Sequence, residues 1–213
     1  MEYENKELCS KCGGRCCKKG GCDYYVSDFK SIDKNTILKV LETGNVSIVS
    51  AFKYEILTNG KKVVVPIFYL RARNEGKKVI DLFSMKKRCS MLTSTGCSYN
   101  LEQRPGGGVN LIPNEKGCKP LNNPLDELKK WYPYQNLLAK IVKRYTGKTV
   151  DMVLKSDIEE VFYEVLSENF DGVDKLEIAD ILECLPNLVE CYPEEYIKAK
   201  NRKNNEIKLV RNK

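Results

Sequence analysis

The first apolar residues with a clear period lie between positions 28 and 44. They recur there at helical spacing, Asp33 or Ser27 precedes them as a candidate N-cap, and Gly44 is a candidate end. This pattern predicts one or two short helices.

The next stretch changes from helical to strand-like composition. Residues 46–83 read VSIVSAFKYEILTNGKKVVVPIFYLRARNEGKKVIDLF, which is rich in β-branched and aromatic residues. Asn59-Gly60 lies between two apolar runs and favours a hairpin turn, and Glu75-Gly76 suggests a second turn. The stretch therefore predicts a small antiparallel β-meander.

Beyond Asn123 the apolar spacing is helical again. Asn123 is a candidate N-cap with Pro124 at the first helical position, and Pro133 is expected to divide the first helical segment. A helix opening at Ser156 and two shorter ones follow, over the segments DKLEIADILECL and YPEEYIKAKNRK. The chain is thus predicted to contain a cysteine-bearing domain at 1–122 and a helical region at 123–213.

Composition indicates whether the chain can form a core and in which compartment it is expected. At 213 residues and 42% hydrophobic content the chain can form a genuine core, and no run approaches the roughly 20 apolar residues that span a bilayer. The N-terminus MEYENKELCSKC lacks the apolar stretch of a signal peptide, so we expect a cytoplasmic protein with no membrane partner. In that reducing compartment a dense cysteine pattern favours metal binding or redox chemistry over disulfides.

The ten cysteines are unevenly placed along the chain. Cys184 and Cys191 lie in apolar helical sequence, where structural packing is expected. The other eight are candidate metal ligands: Cys9, Cys12, Cys16, Cys17, Cys22, Cys89, Cys97 and Cys118. Zinc and iron–sulfur clusters both accept four thiolates, so eight ligands suit two sites. The adjacent side chains of Cys16 and Cys17 tend to diverge, which also favours two sites.

Other classes of chemistry are excluded or weakened by the composition. The chain has no histidine, which removes Ser-His-Asp and Cys-His nucleophiles and histidine-ligated zinc hydrolases. The net charge of +7 falls to +3 if eight thiolates hold two divalent ions, since the correction is −8 plus 4. Much of the basicity then balances the metal site, which argues against a nucleic-acid partner.

The segment RPGGGVNLIPNEKGC, at 104–118, is punctuated by glycine and proline and predicts a long loop. A ligand at Cys118 would fix such a loop. The three glycines at 106–108 follow a loop and are expected to open no helix, so they are not a dinucleotide-binding fingerprint.

Two motifs together resemble a known family. CSKCGGRCC, beginning at Cys9, and CSYNLEQRP, at 97–105, are similar to the YkgJ-type cysteine-cluster family, whose pattern is CxxCxxCC followed by a later Cys, a Tyr and an Arg-Pro. The resemblance covers roughly residues 9–118 and implies chelation of zinc or iron. Three residues rather than two separate Cys12 from Cys16, and Gly108 stands where the family often has a cysteine, with Cys118 as a candidate replacement.

Two further residues are candidates to support the ligands. The guanidinium of Arg104 can donate hydrogen bonds to thiolates or to a backbone carbonyl, with a surface salt bridge as the alternative. The Tyr99 hydroxyl can donate to sulfur, or the ring can simply pack.

These observations predict an α+β protein with a Cys-ligated metal core, a small antiparallel β-meander and a C-terminal helical section. The expected function is thiolate-only binding of zinc or iron, the latter as an iron–sulfur cluster, in a structural or metal-handling role. Metal ions are the expected partners, and another protein is left open. The resemblance extends remotely to flagellin lysine methylases, so an iron–sulfur protein-lysine N-methylase is the alternative, and a nucleic-acid-binding module using the basic tail is a weaker one. No catalytic residue is assigned.

Overall fold

The structure is a computed structural model that describes residues 7–8, 11, 14, 17–18, 22–72, 78–89, 91–94, 96–100, 102–114 and 118–211. It confirms an α+β protein with a small antiparallel sheet and C-terminal helices. The strands are β1 (Cys22–Asp23), β2 (Val46–Ile56), β3 (Lys62–Ala72), β4 (Leu92–Thr93), β5 (Gly96–Cys97), β6 (Leu111–Ile112) and β7 (Lys119–Pro120). The helices are α1 (Lys34–Glu42), α2 (Gly106–Val109), α3 (Pro124–Lys129), α4 (Gln135–Thr146), α5 (Val150–Leu166), α6 (Lys175–Cys191) and α7 (Pro193–Arg211), with 3-10 turns at Val26–Asp28 and Tyr132–Tyr134.

The main sheet is built on the predicted hairpin. Strands β2 and β3 pair antiparallel in continuous register from Val46↔Ala72 to Ile56↔Lys62. Gly60, with φ of 79°, supplies the left-handed residue of the connecting turn. The short strand β1 pairs with the other side of β3, which gives the order β1-β3-β2.

The prediction that residues near 79–83 form a third antiparallel strand is wrong. Residues 79–82 do not continue an antiparallel sheet but run parallel beside β2, with one bridge at Ile48↔Ile80. The hydroxyls of Ser47 and Ser50 donate to the carbonyls of Lys78 (2.6 Å) and Leu82 (2.5 Å). Backbone hydrogen bonds also join Ile48 to Val79 and Asp81. The N–H groups of Leu82 and Phe83 donate to the Asp157 carboxylate of α5 rather than to β2, which ends the pairing. The predicted turn at residues 75–76 lies outside the described residues.

Strand β1 covers only the last two residues of β3, and other parts of the chain bind the rest of that edge of β3. The amide of Gln135, on α4, accepts from the N–H of Phe68 and donates to its C=O, both at 2.8 Å. Tyr24 N–H donates to the carbonyl of Leu70 at 2.9 Å, and the thiol of Cys191 donates to that of Lys62 at 3.6 Å. The sheet is thereby joined to both the N-terminal segment and the C-terminal helices.

The sequence predicted the start of a helix correctly where a side chain accepts hydrogen bonds from the first turn. Asp33 accepts hydrogen bonds from the N–H groups of Asn35 and Thr36 at the start of α1, and Asn123 caps α3. Pro133 lies in the 3-10 turn that separates α3 from α4, as predicted.

The later helices are longer than their apolar patterns indicated. Helix α5 begins six residues before Ser156, because Thr149 caps it by accepting from the N–H of Met152. Helix α6 spans 17 residues and contains Pro186. Helix α7 spans 19 residues and continues through the basic C-terminal tail as far as Arg211. Ion pairing of Arg202 with Glu160 at 2.6 Å fixes this tail to α5.

One hydrophobic core extends from the sheet into the helical region. Trp131 is fully buried in it, and its indole N–H donates to the carbonyl of Tyr24 at 3.0 Å. The same cluster includes Ile37 of α1, Leu70 of β3 and Phe162 of α5. Among the described residues, no helix combines the length and the apolar character needed to cross a bilayer.

Candidate metal centre

Three consecutive glycines bring α2 against β1. A Cβ on Gly107 would lie 2.7 Å from the carbonyl oxygen of Asp23 and 2.8 Å from its nitrogen, and one on Gly106 would lie 2.5 Å from the ring of Tyr25. Only a residue without a side chain permits this approach of two backbones. The glycines were predicted to form a loop, but they open a four-residue helix, because the absence of Cβ atoms lets this turn pack on β1.

The third glycine brings Cys22 against the Arg-Pro end of the second cysteine motif. A Cβ on Gly108 would overlap the sulfur of Cys22 and lie 2.9 Å from Cγ of Arg104. The Cys22 thiol also points at the carbonyl oxygen of Pro105, 3.8 Å away and 83 residues later in the chain. The sulfur of Cys22 therefore occupies the space that a side chain at position 108 would fill, beside the candidate supporting residue Arg104.

A polar network fixes the same turn from the other side, and only its Asn110–Tyr25 end is buried. The Asp28 carboxylate accepts from the N–H groups of Tyr25 and Gly106, both at 2.8 Å, and burial raises its pKa against the effect of these hydrogen bonds. The Asn110 side chain donates to the Tyr25 hydroxyl and to the carbonyl of Asn122, each at 3.0 Å. Neither Asp28 nor Asn110 was identified from the sequence as part of this arrangement.

The N-terminal cysteine segment meets the region around Cys89. The N–H of Cys89 donates to the carbonyl of Cys17 at 2.6 Å. A Cβ on Gly14 would lie 2.5 Å from Leu92, whose partner in the β4–β5 ladder is Cys97. Gly14 and Cys17 therefore lie against Leu92 and Cys89, and Leu92 in turn pairs with Cys97.

Tyr99 lies between these two groups of cysteines. Its hydroxyl shares a 3.0 Å hydrogen bond with that of Tyr24, so its described partner is a phenol rather than a sulfur. Burial raises the pKa of Tyr99, the hydrogen bond to Tyr24 opposes this, and the thiol groups of Cys89, Cys22 and Cys97 raise it further. All three cysteines are thus near enough to Tyr99 to act on its phenol electrostatically.

Of the other predicted ligands, the structure describes only Cys118. Cys9, Cys12 and Cys16 lie outside the described residues. Cys118 is partly buried and directly precedes β7, in the hairpin that follows α2. Within the ranges that the structure describes, no group of three or more Cys, Asp or Glu side chains is arranged to hold a metal ion.

The two remaining cysteines pack in the helical region. Cys184 lies against the core and its thiol donates to the carbonyl of Ile181 at 3.3 Å. Burial raises the pKa of both Cys184 and Cys191, which favours the protonated thiol.

Sequence reasoning missed one ion pair beside the cysteines. Asp23 accepts from Nε of Arg71 at 2.5 Å, and each side chain is only 18% exposed. An arginine at the end of the apolar strand VVVPIFYLR is a signal that could have indicated a buried partner.

No known protein family, curated protein sequence or solved structure matches this chain. Its function is therefore inferred from the arrangement of its own side chains.

Proposed function

We propose that this chain is a metal-binding protein in which cysteine thiolates hold zinc or an iron–sulfur cluster, in a structural or metal-handling role. One observation carries the proposal. Cysteine-bearing segments far apart in sequence converge, as the contacts of Cys17 with Cys89 and of Cys22 with the Arg104–Gly108 turn indicate.

The donor chemistry in this region favours thiolate ligation. The carboxylate of Asp23 is engaged by Arg71 at 2.5 Å, and that of Asp28 accepts two backbone N–H groups. The chain has no histidine. The sulfurs are therefore the groups suited to a soft or borderline ion, and both zinc and iron–sulfur clusters accept four of them.

The surroundings of Cys22 are consistent with a ligand held in a fixed position. Its strand is fixed by pairing with β3 and by the close contact with α2. The Arg104 side chain lies beside its sulfur, where a guanidinium can offset negative charge on thiolates. Rigid support of this kind is what a metal site needs, because ligand distances must hold within about 0.2 Å.

A site closed by four thiolates leaves no coordination position for a substrate. Eight ligands in two closed sites would therefore stabilise the fold of the N-terminal region, whose sequence at 9–22 contains few apolar residues besides cysteine. A set of thiolates competing for one ion would suit metal transfer instead.

The experiment is elemental analysis and absorbance spectroscopy of protein purified without oxygen. Zinc gives a colourless protein, and an iron–sulfur cluster gives a brown one with visible absorbance. Separate Ser variants of Cys22, Cys89 and Cys97 should each lose bound metal, whereas the matched variants Cys184→Ser and Cys191→Ser should retain it. Protein that carries no zinc or iron, or equal loss from the two control variants, contradicts the proposal.

The two-site arrangement has its own test. If the adjacent side chains of Cys16 and Cys17 serve different ions, Cys16→Ser and Cys17→Ser should each release one ion and leave the other. Metal content per chain, measured together with thiol titration, distinguishes this result from loss of the same ion in both variants.

A further inference from the structure

Helix α4 has one buried face and one basic face. Leu138 and Val142 are buried in the core, whereas Lys140, Lys143 and Arg144 are exposed. Residues three and four apart share one side of a helix, so the three cations lie together on the side opposite the core. We call these three cations the α4 basic surface.

No acidic group balances this surface from within its own helix. Helix α4 contains no Asp or Glu, unlike α5, α6 and α7. Within the described part of the chain the side chains of the α4 basic surface form no ion pair, whereas Asp151 at the start of α5 is paired with Lys155 at 3.0 Å. Lys148, in the turn after α4, adds another exposed positive charge.

Helix α1, which packs against α4, adds no net charge. With its N-cap it carries two lysines, Lys34 and Lys39, and two acids, Asp33 and Glu42. The Asp33 carboxylate is also engaged by N–H groups of its own helix. Neither α1 nor the first turn of α5 therefore neutralises the α4 basic surface.

Helix electrostatics alone do not explain the three cations. The C-terminal end of a helix carries partial negative charge, which stabilises Lys143 and Arg144 in the last turn. This effect falls off within one turn, so it does not account for Lys140. The surface also lies outside the cysteine-bearing segments at 9–22 and 89–118, so its charge does not serve to offset thiolates there.

The residues around the α4 basic surface favour a partner that presents phosphates. Asn136, one turn before Lys140, is exposed and polar, and the exposed ring of Tyr145 is about 100° around the helix from Arg144. A helix that lies on a membrane needs an exposed apolar face, and the centres of protein–protein interfaces are depleted in lysine. Proteins that bind single strands add aromatic stacking to charge. The backbone of a duplex requires cations alone.

We propose that the α4 basic surface binds double-stranded DNA through its phosphates, without reading the base sequence. The duplex carries one negative charge per about 1.7 Å of its axis, and cations that neutralise phosphates release condensed counterions. The major groove of DNA, about 12 Å wide, also admits an α-helix, whereas that of duplex RNA is deep and narrow. The proposal does not depend on bound metal, so it and the metal-binding proposal fail independently.

The first test titrates the full chain into a fluorescently labelled DNA duplex of about 20 base pairs and measures anisotropy, with metal content recorded for every sample. We expect a dissociation constant on the order of 10–100 µM at 50 mM NaCl, in the range of non-specific binding. Each neutralised phosphate contributes about −0.9 to the slope of log affinity against log salt, so three contacts give about −2.7. A single strand and an RNA duplex of the same sequence should bind more weakly. No binding at 50 mM NaCl, or binding of either alternative as tight as that of the DNA duplex, overturns the proposal.

The triple variant K140Q, K143Q and R144Q tests whether this surface carries the binding. It should weaken duplex binding at least tenfold at 50 mM NaCl and bring the salt slope close to zero, because the phosphate contacts are lost. Glutamine has a helix propensity similar to that of lysine and arginine, so circular dichroism should show a folded protein. Lys140→Gln alone leaves the last turn of α4 intact and should reduce the slope by about 0.9. Unchanged affinity and slope in both variants refute the assignment.

A control variant removes the same net charge elsewhere. K198Q, K200Q and K208Q replace exposed lysines of α7, the helix that contains the basic C-terminal tail. This variant should keep the salt slope and lose less than about threefold in affinity, because attraction between distant exposed charges is screened. Equal loss in the two triple variants would show that overall charge drives binding and overturns the proposal. Tighter binding to vesicles containing phosphatidylserine, or to polyglutamate, than to the duplex would assign the surface to a membrane or an acidic protein and also overturns it.

Discussion

Gly107→Ala tests whether contact between α2 and β1 positions Cys22. The added Cβ would lie 2.7 Å from the carbonyl oxygen of Asp23 and 2.8 Å from its nitrogen, whereas ordinary van der Waals contact begins at 3.4 Å. Both neighbours are backbone atoms, so a side-chain rotation cannot relieve the overlap. The two segments must separate by about 0.7 Å, the difference between 3.4 and 2.7 Å.

This displacement is large compared with the tolerance of a metal site. Ligand distances hold within about 0.2 Å, and β1 carries Cys22 next to Asp23, so the variant should lose metal affinity at least tenfold. Overpacking of this kind also costs about 1–3 kcal/mol of unfolding free energy. Melting temperature should therefore fall by roughly 2–4 °C for each kcal/mol.

Gly147→Ala is the control for general destabilisation. Gly147 ends α4 with φ of 69° and has no atom within 4 Å of a built Cβ, so alanine there costs about 1–2 kcal/mol through backbone strain alone. Titration against a chromogenic chelator should show unchanged metal affinity in Gly147→Ala and weakened affinity in Gly107→Ala. Wild-type affinity in Gly107→Ala would refute the reasoning that α2 sets the position of a Cys22 ligand.

Three further predictions concern stability. Burial raises the pKa of Glu177, on α6, from 4.5 to about 7, so the folded state binds the proton more tightly than the unfolded state. The free energy of unfolding should therefore fall by up to about 3 kcal/mol as pH rises from 4.5 to 7. Urea unfolding across this range should show a flatter profile for Glu177→Gln; parallel profiles would contradict it. Asn110→Ala removes three side-chain hydrogen bonds from a buried site and should cost about 2–4 kcal/mol in urea unfolding, and a loss below 1 kcal/mol would show that the network contributes little. Removing metal with a chelator should lower stability by about 4 kcal/mol if the free ion was at 1,000 times its dissociation constant, and an unchanged melting temperature would contradict a structural role.

The features that the sequence predicted correctly depend on short-range chemistry. The caps at Asp33 and Asn123, the turn at Gly60 and the break at Pro133 are each decided within four residues. The parallel run beside β2 was missed because it depends on backbone and serine hydrogen bonds between residues about 30 positions apart, which periodicity does not encode.

The candidate site was predictable in composition but not in geometry. Cysteine spacing predicted which sulfurs could be ligands, yet the position of Cys22 over Gly108 depends on a contact between segments more than 80 residues apart. The three glycines looked like a flexible loop because their local preference is weak. Their helix forms on the surface that β1 provides, which is a tertiary effect.

The edge of β3 has a consequence for behaviour at high protein concentration. An exposed strand edge invites strands from other molecules, which is the first step of amyloid-like assembly. Backbone polar groups two residues apart in a strand face the same edge, so the nitrogen of Pro66 lies on the edge where Gln135 binds the N–H and C=O of Phe68. Because proline has no N–H, it offers no donor to an incoming strand there. Together with the contacts at Leu70 and Lys62, these residues leave an incoming strand few groups to bind. The protein is thereby built to resist fibril growth along this edge.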